Sequence, residues 1–382
     1  MHPQNLEKLL YLKIQIFKAM KKNKITYIFG SGRNNKIENN DSFAKEMFYG
    51  YFDLKKKYDT EIVETSIKQK NFIKKFLSKL INKLTGIGIH FENVLSSEDE
   101  KRVLTSNELF FGNQQLLFSF LFFLQRFKKK DIKVNVFAMG MMNYKKNFIS
   151  KILLDFIFNN ISRVIFISEP EYDTALKLHT KYKEKIYHIH FGVDTDFWEK
   201  KEINNIKKHS LLFIGNDLNR DYGFLINLVK KLPEIDFKII SKRFTKNELS
   251  FQNVELISGD WHSDKLSDQK IRELYSNSSI TLIPLKNSIQ PSGQSVCLQS
   301  MACQTPVIMT KTIGFWNPKN LLDELDIILL DPDLDTWVDE INKLINDEKL
   351  RSKLSQNALR KVKSKYTSKQ FSKGLIDLIE SK

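Results

Sequence analysis

The stretch "ITLIPLKNSIQPSGQSVCLQSMACQTPVI", Ile280 to Ile308, decides the fold. It opens on the near-continuous apolar run "ITLIPL", the form of a central strand covered on both faces. A polar loop, "KNSIQPSGQS", follows, and "VCLQSMA" then resumes apolar residues at helical spacing. "PVIMT" closes the unit as a further strand. Strand, helix and strand in this order build parallel sheets. The loop between them carries the chemistry. Gly293 lets the backbone come close to a ligand. Ser292 or Ser295 reads as the helix N-cap. Free N–H groups on the first turn, around Gln294, attract anions. Gln299 lies one turn further in, with an amide suited to hydroxyl groups. Taken alone, the stretch also reads as an ordinary capped connection.

The same alternation runs both ways from this unit. Before it, "KITYIF", "EIVET", "RVLTS", "KVNVFA", "RVIFIS" and "KIYHI" read as strands. "FAKEMFYGYFDLKKKY", "NFIKKFLSKLINKL" and "YKKNFISKILLDFIF" read as helices between them. The pattern breaks in the charged, irregular segment "FGVDTDFWEKKEINNIKKHS". It restarts with "LLFIG", "DFKIIS" and "VELIS" as strands, and ends in "DIILL" and three helical patterns. The reading is α/β, two doubly wound parallel-sheet domains in tandem. Residues 1–190 form the first domain, 191–209 the linker, 210–365 the second domain and 366–382 a C-terminal helix. Ligands on such sheets bind beyond the carboxyl ends of the strands, here in the cleft between the domains.

The chain has 382 residues, 41% of them apolar, enough for two packed cores. Its two cysteines, Cys297 and Cys303, give no disulfide framework, which fits a reducing cytoplasm. The start, "MHPQNLEKLLYLKIQIFKAMKK", mixes charges into its apolar positions and lacks the core of a secretory signal. The formal charge of +16 is uneven: residues 1–200 carry a net +12 and the rest +4. The first domain therefore suits an anionic partner, such as a membrane surface, although scattered lysines on a solvated surface give the same count. No nucleic-acid module is present. The run "LLFSFLFFLQRF", Leu116 to Phe127, is too short to span a bilayer and reads as a buried or interfacial helix.

Two further loops fit the picture of the first. "FIGNDLNRDYG" ends a strand at Gly215 and then offers Asn216 and Arg220; an arginine suits a diphosphate by its permanent charge and fixed fork of donors. "FGSGRNN" places Gly30, Gly32 and Arg33 after the first strand, without the third glycine of a dinucleotide fingerprint.

These residues resemble the two-domain GT-B glycosyltransferases, and within them the large group 1, or family four, of retaining bacterial enzymes. "FGVDTDF" is similar to the segment that enters the family's linker. "LLFIGNDLNRDYGFLI" resembles the loop that opens its second domain. "LYSNSSITLIPLKNSIQPSGQSVCLQSMACQTPVI" resembles its donor block. The resemblance implies two Rossmann-like domains and transfer of a sugar from a nucleotide-diphosphate sugar, without metal or resident cofactor. The basic first half and the apolar, lysine-tailed run "QQLLFSFLFFLQRFKKK" add the expectation of a cytoplasmic enzyme peripheral to the inner face of the membrane, with a glycan or lipid-linked acceptor, as in cell-surface polysaccharide or lipopolysaccharide synthesis. Arg220 then takes the catalytic, diphosphate-binding place. Gly215, Asn216, Arg243, Ser292, Gly293, Gln294, Ser295 and Gln299 line the donor. Gly30, Gly32, Arg33, Asn107 and Glu108 face the acceptor, beside a loop at Met139–Met142. The chain departs from the family in the donor block, where two glutamates eight positions apart are usual. Pro291 and Gln299 stand in their places, so a non-catalytic sugar-nucleotide binder is the alternative.

Overall fold

The computed structural model describes residues 23–38, 42–67, 72–200, 210–259 and 266–381. The chain start and residues 201–209 of the expected linker lie outside them. Each half is built on one sheet. The first contains β1 (Lys24–Gly30), β2 (Asp59–Ile67), β3 (Asn93–Val94), β4 (Glu108–Phe111), β5 (Lys133–Ala138), β6 (Arg163–Phe166) and β7 (Ile186–His188). Their order is β3-β2-β1-β4-β5-β6-β7, and only the short β3 is antiparallel. The second contains β8 (Ser210–Ile214), β9 (Asp236–Ile240), β10 (Val254–Ile257), β11 (Ile280–Ile283), β12 (Val307–Thr310) and β13 (Ile328–Leu330), in the order β10-β9-β8-β11-β12-β13, all parallel. Every residue of β8, β11 and β12 is buried, as continuous apolar runs require in a sheet covered on both faces. Each strand order reverses once, between β1 and β4 and between β8 and β11. A crevice opens at such a reversal, beyond the carboxyl ends.

Three readings from sequence are corrected. "FAKEMFYGYFDLKKKY" is not one helix. It is a 3-10 turn, Glu46–Phe48, and a short helix, Tyr51–Leu54, separated by left-handed Tyr49 (φ 47°) and Gly50 (φ 80°). "RVLTS" is not a strand: Arg102–Leu104 end the helix Ser97–Leu104, capped by Ser96, and the strand is the following β4. The "LLFSFLFFLQRF" run forms two consecutive helices, Gln114–Ser119 and Leu121–Lys129, whose Leu117, Phe118, Leu124 and Phe127 are in the core. Of the two sequence readings, buried and interfacial, the buried one describes these four residues, while Phe122 of the same run is exposed.

One apolar cluster is shared by the domains, joining Tyr27 and Phe137 of the first sheet to Trp198 and then to Tyr275 and Met301 on helices of the second domain. The chain crosses between domains twice at one place. Linker residue Val193 donates its N–H to Tyr366 O (2.8 Å) and accepts from Ser368 N (2.8 Å). Beyond this crossing the helix Ser368–Glu380 returns to the first domain, where Phe371 meets the ring of Phe137 and Tyr58 bonds Glu380 (3.0 Å). Gly192 makes the crossing possible, because a Cβ there would lie 2.2 Å from Thr367 O. Backbone cannot yield as a flexible side chain can. Gly192→Ala should therefore cost about 1–3 kcal/mol, the usual range for overpacking. Urea unfolding measures this, and an unchanged midpoint would mean that the two segments do not pack as described.

Candidate active site

At the reversal of the second sheet, two loops are zipped together. Lys286 N donates to Asn219 O (2.8 Å) and Asp221 N to Pro284 O (3.0 Å). Asn219 Nδ2 donates to Ser292 Oγ (2.8 Å). Asp221 then caps the helix Tyr222–Lys231. This frame fixes Arg220 between two glycines. A Cβ on Gly215 would lie 2.4 Å from Arg220 Nε, and one on Gly293 would lie 3.0 Å from Nη1. Arg220 is 3% exposed, and its Nε and Nη1 have no hydrogen-bond partner. The nearby carboxylate of Asp217 lies 3.4 Å from Nη1, outside hydrogen-bond alignment. A buried cation with unmade hydrogen bonds is costly, and an arriving anion relieves that cost.

The helix Gln294–Ala302 turns its amino end to the same point. Its N-cap is Gly293 (φ 80°), and no side chain caps it. This corrects the expected serine cap: Ser292 Oγ is taken by Asn219, and Ser295 lies inside the helix. Uncapped first-turn amides beside a guanidinium with unmade hydrogen bonds suit an anion with several oxygens, such as a diphosphate. Gln294 reaches the other way, donating Nε2 to Ile167 O of the first domain (3.0 Å). Asn216 does not face this space. Its Nδ2 bonds Gly259 O (2.7 Å) and its Oδ1 accepts from Lys242 N (2.8 Å), tying together the ends of β8, β9 and β10. Arg243 is exposed at the same mouth, held by one bond from Nε to Asn216 O (2.8 Å).

The first-domain residues divide. No atom lies within 4 Å of where a Gly30 Cβ would be, so there is room beside it. The amides of Gly32, Arg33 and Asn34 all donate to the Glu64 carboxylate, so the chain's own anion fills that turn. The Arg33 guanidinium lies 5.5 Å from the Phe29 ring centre and 5.7 Å from that of Phe48, turned into its own domain. Asn107 and Glu108 are misplaced by the sequence reading. They stand at the amino end of β4, opposite the crevice. Asn107 accepts from Lys24 N (2.8 Å), and Glu108 forms a buried ion pair with Arg163 (2.8 Å). Their work is structural.

The sequence reading missed the groups that shape the Met139–Met142 loop. Gln114 clasps both N and O of Met139 (3.1 and 2.8 Å). The Glu171 carboxylate accepts from Gly140 N (2.9 Å) and Met142 N (2.8 Å), and burial pushes it up to about 7. Gly140 in turn abuts Gln290 of the donor loop, 2.8 Å from where its Cβ would be. In sequence Glu171 reads only as an acidic first-turn residue.

Residues 195–361 match the family model described as glycosyl transferases group 1. The chain is a glycosyltransferase, its second domain of group 1. Among solved structures it is similar to HepE of Anabaena in complex with UDP-glucose, at 12% identity and a TM-score of 0.66, covering 94% of this chain and 100% of that one. It is also similar to a glycosyltransferase from Rickettsia africae, at 12% identity and a TM-score of 0.61, covering 94% of this chain and 99% of that one. At such identity the likeness shows the fold, GT-B. No curated protein matches the sequence.

In this glycosyltransferase the place of the family's second donor-block glutamate is occupied by Gln299, and a carboxylate reaches that place from elsewhere. Gln299 Nε2 donates to Glu46 Oε1 (2.8 Å), and its Oε1 accepts from the Tyr275 hydroxyl (3.2 Å). Glu46 belongs to the first domain. Its Oε1 also accepts from Trp198 Nε1 (2.7 Å), and its Oε2 from Asp194 N (3.3 Å). A glutamate at 299 would set two carboxylates against each other, so an amide is the group that fits. Gln299 thus holds the two domains together instead of presenting its amide to the open cleft.

Burial pushes Glu46 up to about 7, against the pull of these donors toward the ionised form. The folded state keeps the proton where the unfolded state, near 4.5, has released it. The resulting stability is full below about 4.5 and is lost as pH rises toward 7. A shift of this size corresponds to about 3 kcal/mol. Urea unfolding at pH 5 and pH 8 should show wild type losing stability on the alkaline side. Glu46→Gln should lose less than wild type, with Glu171 still acting in the same sense and His188, pushed down to about 4 by burial, in the opposite one. Equal losses in the two proteins would show that Glu46 titrates normally.

Proposed function

We propose that the protein transfers a sugar from a nucleotide-diphosphate sugar to a glycan or lipid-linked acceptor. The observation that carries the reading is the buried guanidinium of Arg220, whose Nε and Nη1 make no hydrogen bond, against the uncapped start of the helix Gln294–Ala302. As the bond from the anomeric carbon to the phosphate oxygen breaks, negative charge builds on the departing diphosphate. Fixed donors in a site shielded from water stabilise that charge. Arg220 and the backbone of Gly293 to Ser295 supply them, Ser292 N being held by Gln290 O (2.8 Å), so no metal ion is required. Arg243 stands at the mouth as a second cation. HepE of Anabaena, which shares the fold, is known with UDP, with UDP-glucose, and with UDP and glucose, which favours this class of donor. Family membership favours retention, with a leaving phosphate oxygen accepting the acceptor's proton as the new bond forms on the same face. Gln299 reaches a ribose when Glu46 withdraws, which couples nucleotide binding to movement of the first domain.

The acceptor side faces the basic half of the chain, with its net +12 over residues 1–200. An acceptor carried by a lipid at the inner face of a membrane, as in cell-surface polysaccharide or lipopolysaccharide synthesis, suits that charge. No described helix is long and apolar enough to cross a membrane, so contact with such a surface is peripheral in this reading. Pro291 and Gln299 favour a second reading, a relative that binds the donor without turning it over.

UDP and a panel of nucleotide-diphosphate sugars should raise the melting temperature of the wild type. The shift should vanish in Arg220→Ala, and transfer should fall about 10²–10³-fold, as for loss of one preorganised donor. A chelator should leave wild-type transfer unchanged. Without ligand, Arg220→Met should be no less stable than wild type, since it removes a buried charge whose one ion pair, to half-exposed Asp217, leaves Nε and Nη1 without hydrogen bonds. Binding without transfer to any acceptor would favour the second reading, and no shift with any nucleotide would sink both.

A further inference from the structure

The helix Phe72–Thr85 is inside out. Its buried residues are Ser78 and Thr85. Ser78 bonds Glu92 (2.8 Å) and Phe91 N (2.9 Å), and Asn82 bonds the backbone of Ile89, all on the inner side. The outer side carries Phe72, Ile73, Phe76, Leu77, Leu80 and Leu84, with the first three 82%, 72% and 65% exposed. A helix packed on its own domain normally turns that stripe inward. A second exposed apolar group continues the surface: Phe148, Ile149 and Ile152 at the start of the helix Phe148–Asn160. The two are joined by bonds. Lys145 N donates to Thr85 O (2.8 Å), Lys145 Nζ to Lys83 O (2.7 Å) and Asn147 Nδ2 to Leu84 O (2.8 Å).

The charges around this surface are of one sign. Lys75, Lys79 and Lys83 form an exposed row beside the stripe at four-residue spacing, and Lys145, Lys146 and Lys151 are exposed on the second part. The helix Phe72–Thr85 contains no acidic residue. Apolar side chains flanked by long cationic ones match the boundary between acyl chains and anionic headgroups, where the lysines reach outward as the stripe sinks in. A second copy of this chain is a poorer fit, since a two-fold contact would press the same lysine rows together. The position also fits: both helices follow strands, β2 and β5, whose carboxyl ends open on the crevice.

We infer that Phe72–Thr85 together with Phe148, Ile149 and Ile152 is a docking surface for a bilayer of anionic phospholipid, setting the first-domain side of the cleft toward the membrane. The inference rests on the lipid-linked acceptor reading above for its purpose, but the binding itself is separate from catalysis. The full-length protein is floated with vesicles of phosphatidylcholine alone and of an equal mixture with phosphatidylglycerol. Wild type should rise with the mixed vesicles at least about tenfold more than with phosphatidylcholine. Phe72→Ser/Phe76→Ser and Lys75→Glu/Lys79→Glu/Lys83→Glu should each lose about tenfold of that binding, while keeping the wild-type urea midpoint and UDP-induced thermal shift. Absence of wild-type flotation overturns the proposal, as does flotation that the variants leave intact. So does a wild type that ignores vesicles but self-associates in sedimentation velocity through residues the variants remove. Donor and acceptor are absent from the assay, so a protein that floats but transfers no sugar sinks only the catalytic reading.

Discussion

The second domain is organised around one cation held where a cation is costly. Arg220 fits only because Gly215 and Gly293 have no Cβ, and it stays only because the two loops bearing those glycines bond to each other. The parallel sheet makes this possible. The reversal of strand order places the ends of β8 and β11 side by side, so the segments around Arg220 and Gly293, far apart in sequence, share one crevice. The positive φ of Gly293 starts the following helix without a side-chain cap and leaves its first amides to a ligand. Fold, glycine placement and electrostatics thus converge on one anion site.

The relation between the domains rests on a different device, a carboxylate moved from one domain to the other. At position 299 an amide replaces the acid usual in the family, and Glu46 brings a carboxylate to it from the first domain. Other bonds across the cleft lie nearby. Lys36 pairs with Asp268 (2.8 Å), and Gln294 reaches Ile167 O. At the hinge, Val193 pairs with Tyr366 and Ser368. The hinge pairing is backbone and persists through small rotations. The Glu46 bonds are side-chain contacts between domains and break when the domains part. The same contacts therefore mark a closed arrangement and tie its strength to the protonation of Glu46.

The fold was legible because parallel strands buried on both faces announce themselves as continuous apolar runs. "ITLIPL", "LLFIG" and "KVNVFA" are strands for that reason. The misreadings have the same origin seen from its limits. "RVLTS" has a strand's composition but follows a charged, serine-capped turn that had already started a helix. "FAKEMFYGYFDLKKKY" has helical spacing, yet Tyr49 and Gly50 break it with left-handed backbone, which periodicity does not register. At the candidate site, the position of Arg220 in the loop between β8 and the next helix was legible because it is local information. Glu46, Glu171 and Gln114 were not, because their roles depend on partners far along the chain. Asn107 and Glu108 were placed beside the cleft because their strand was assigned several residues too early; the error moved them from one end of the sheet to the other.

What this chain keeps and what it changes follow a chemical division. Handling a departing diphosphate needs positive potential, and both sources of it, a guanidinium and a helix start, are present and unspent. Holding hydroxyl groups needs acceptors, and there the usual carboxylates have given way to Pro291 and to an amide already bonded to another residue. The first function depends on fixed fields and tolerates little rearrangement. The second is met by any suitably placed acceptor and can be reassigned among neighbours, Glu46 being one such neighbour. In the proposed reading, a site altered in this way keeps the element that stabilises the departing diphosphate and changes the element that holds hydroxyl groups. In that reading the departures at 291 and 299 bear on hydroxyl contacts and domain closure more directly than on the chemistry of the leaving group.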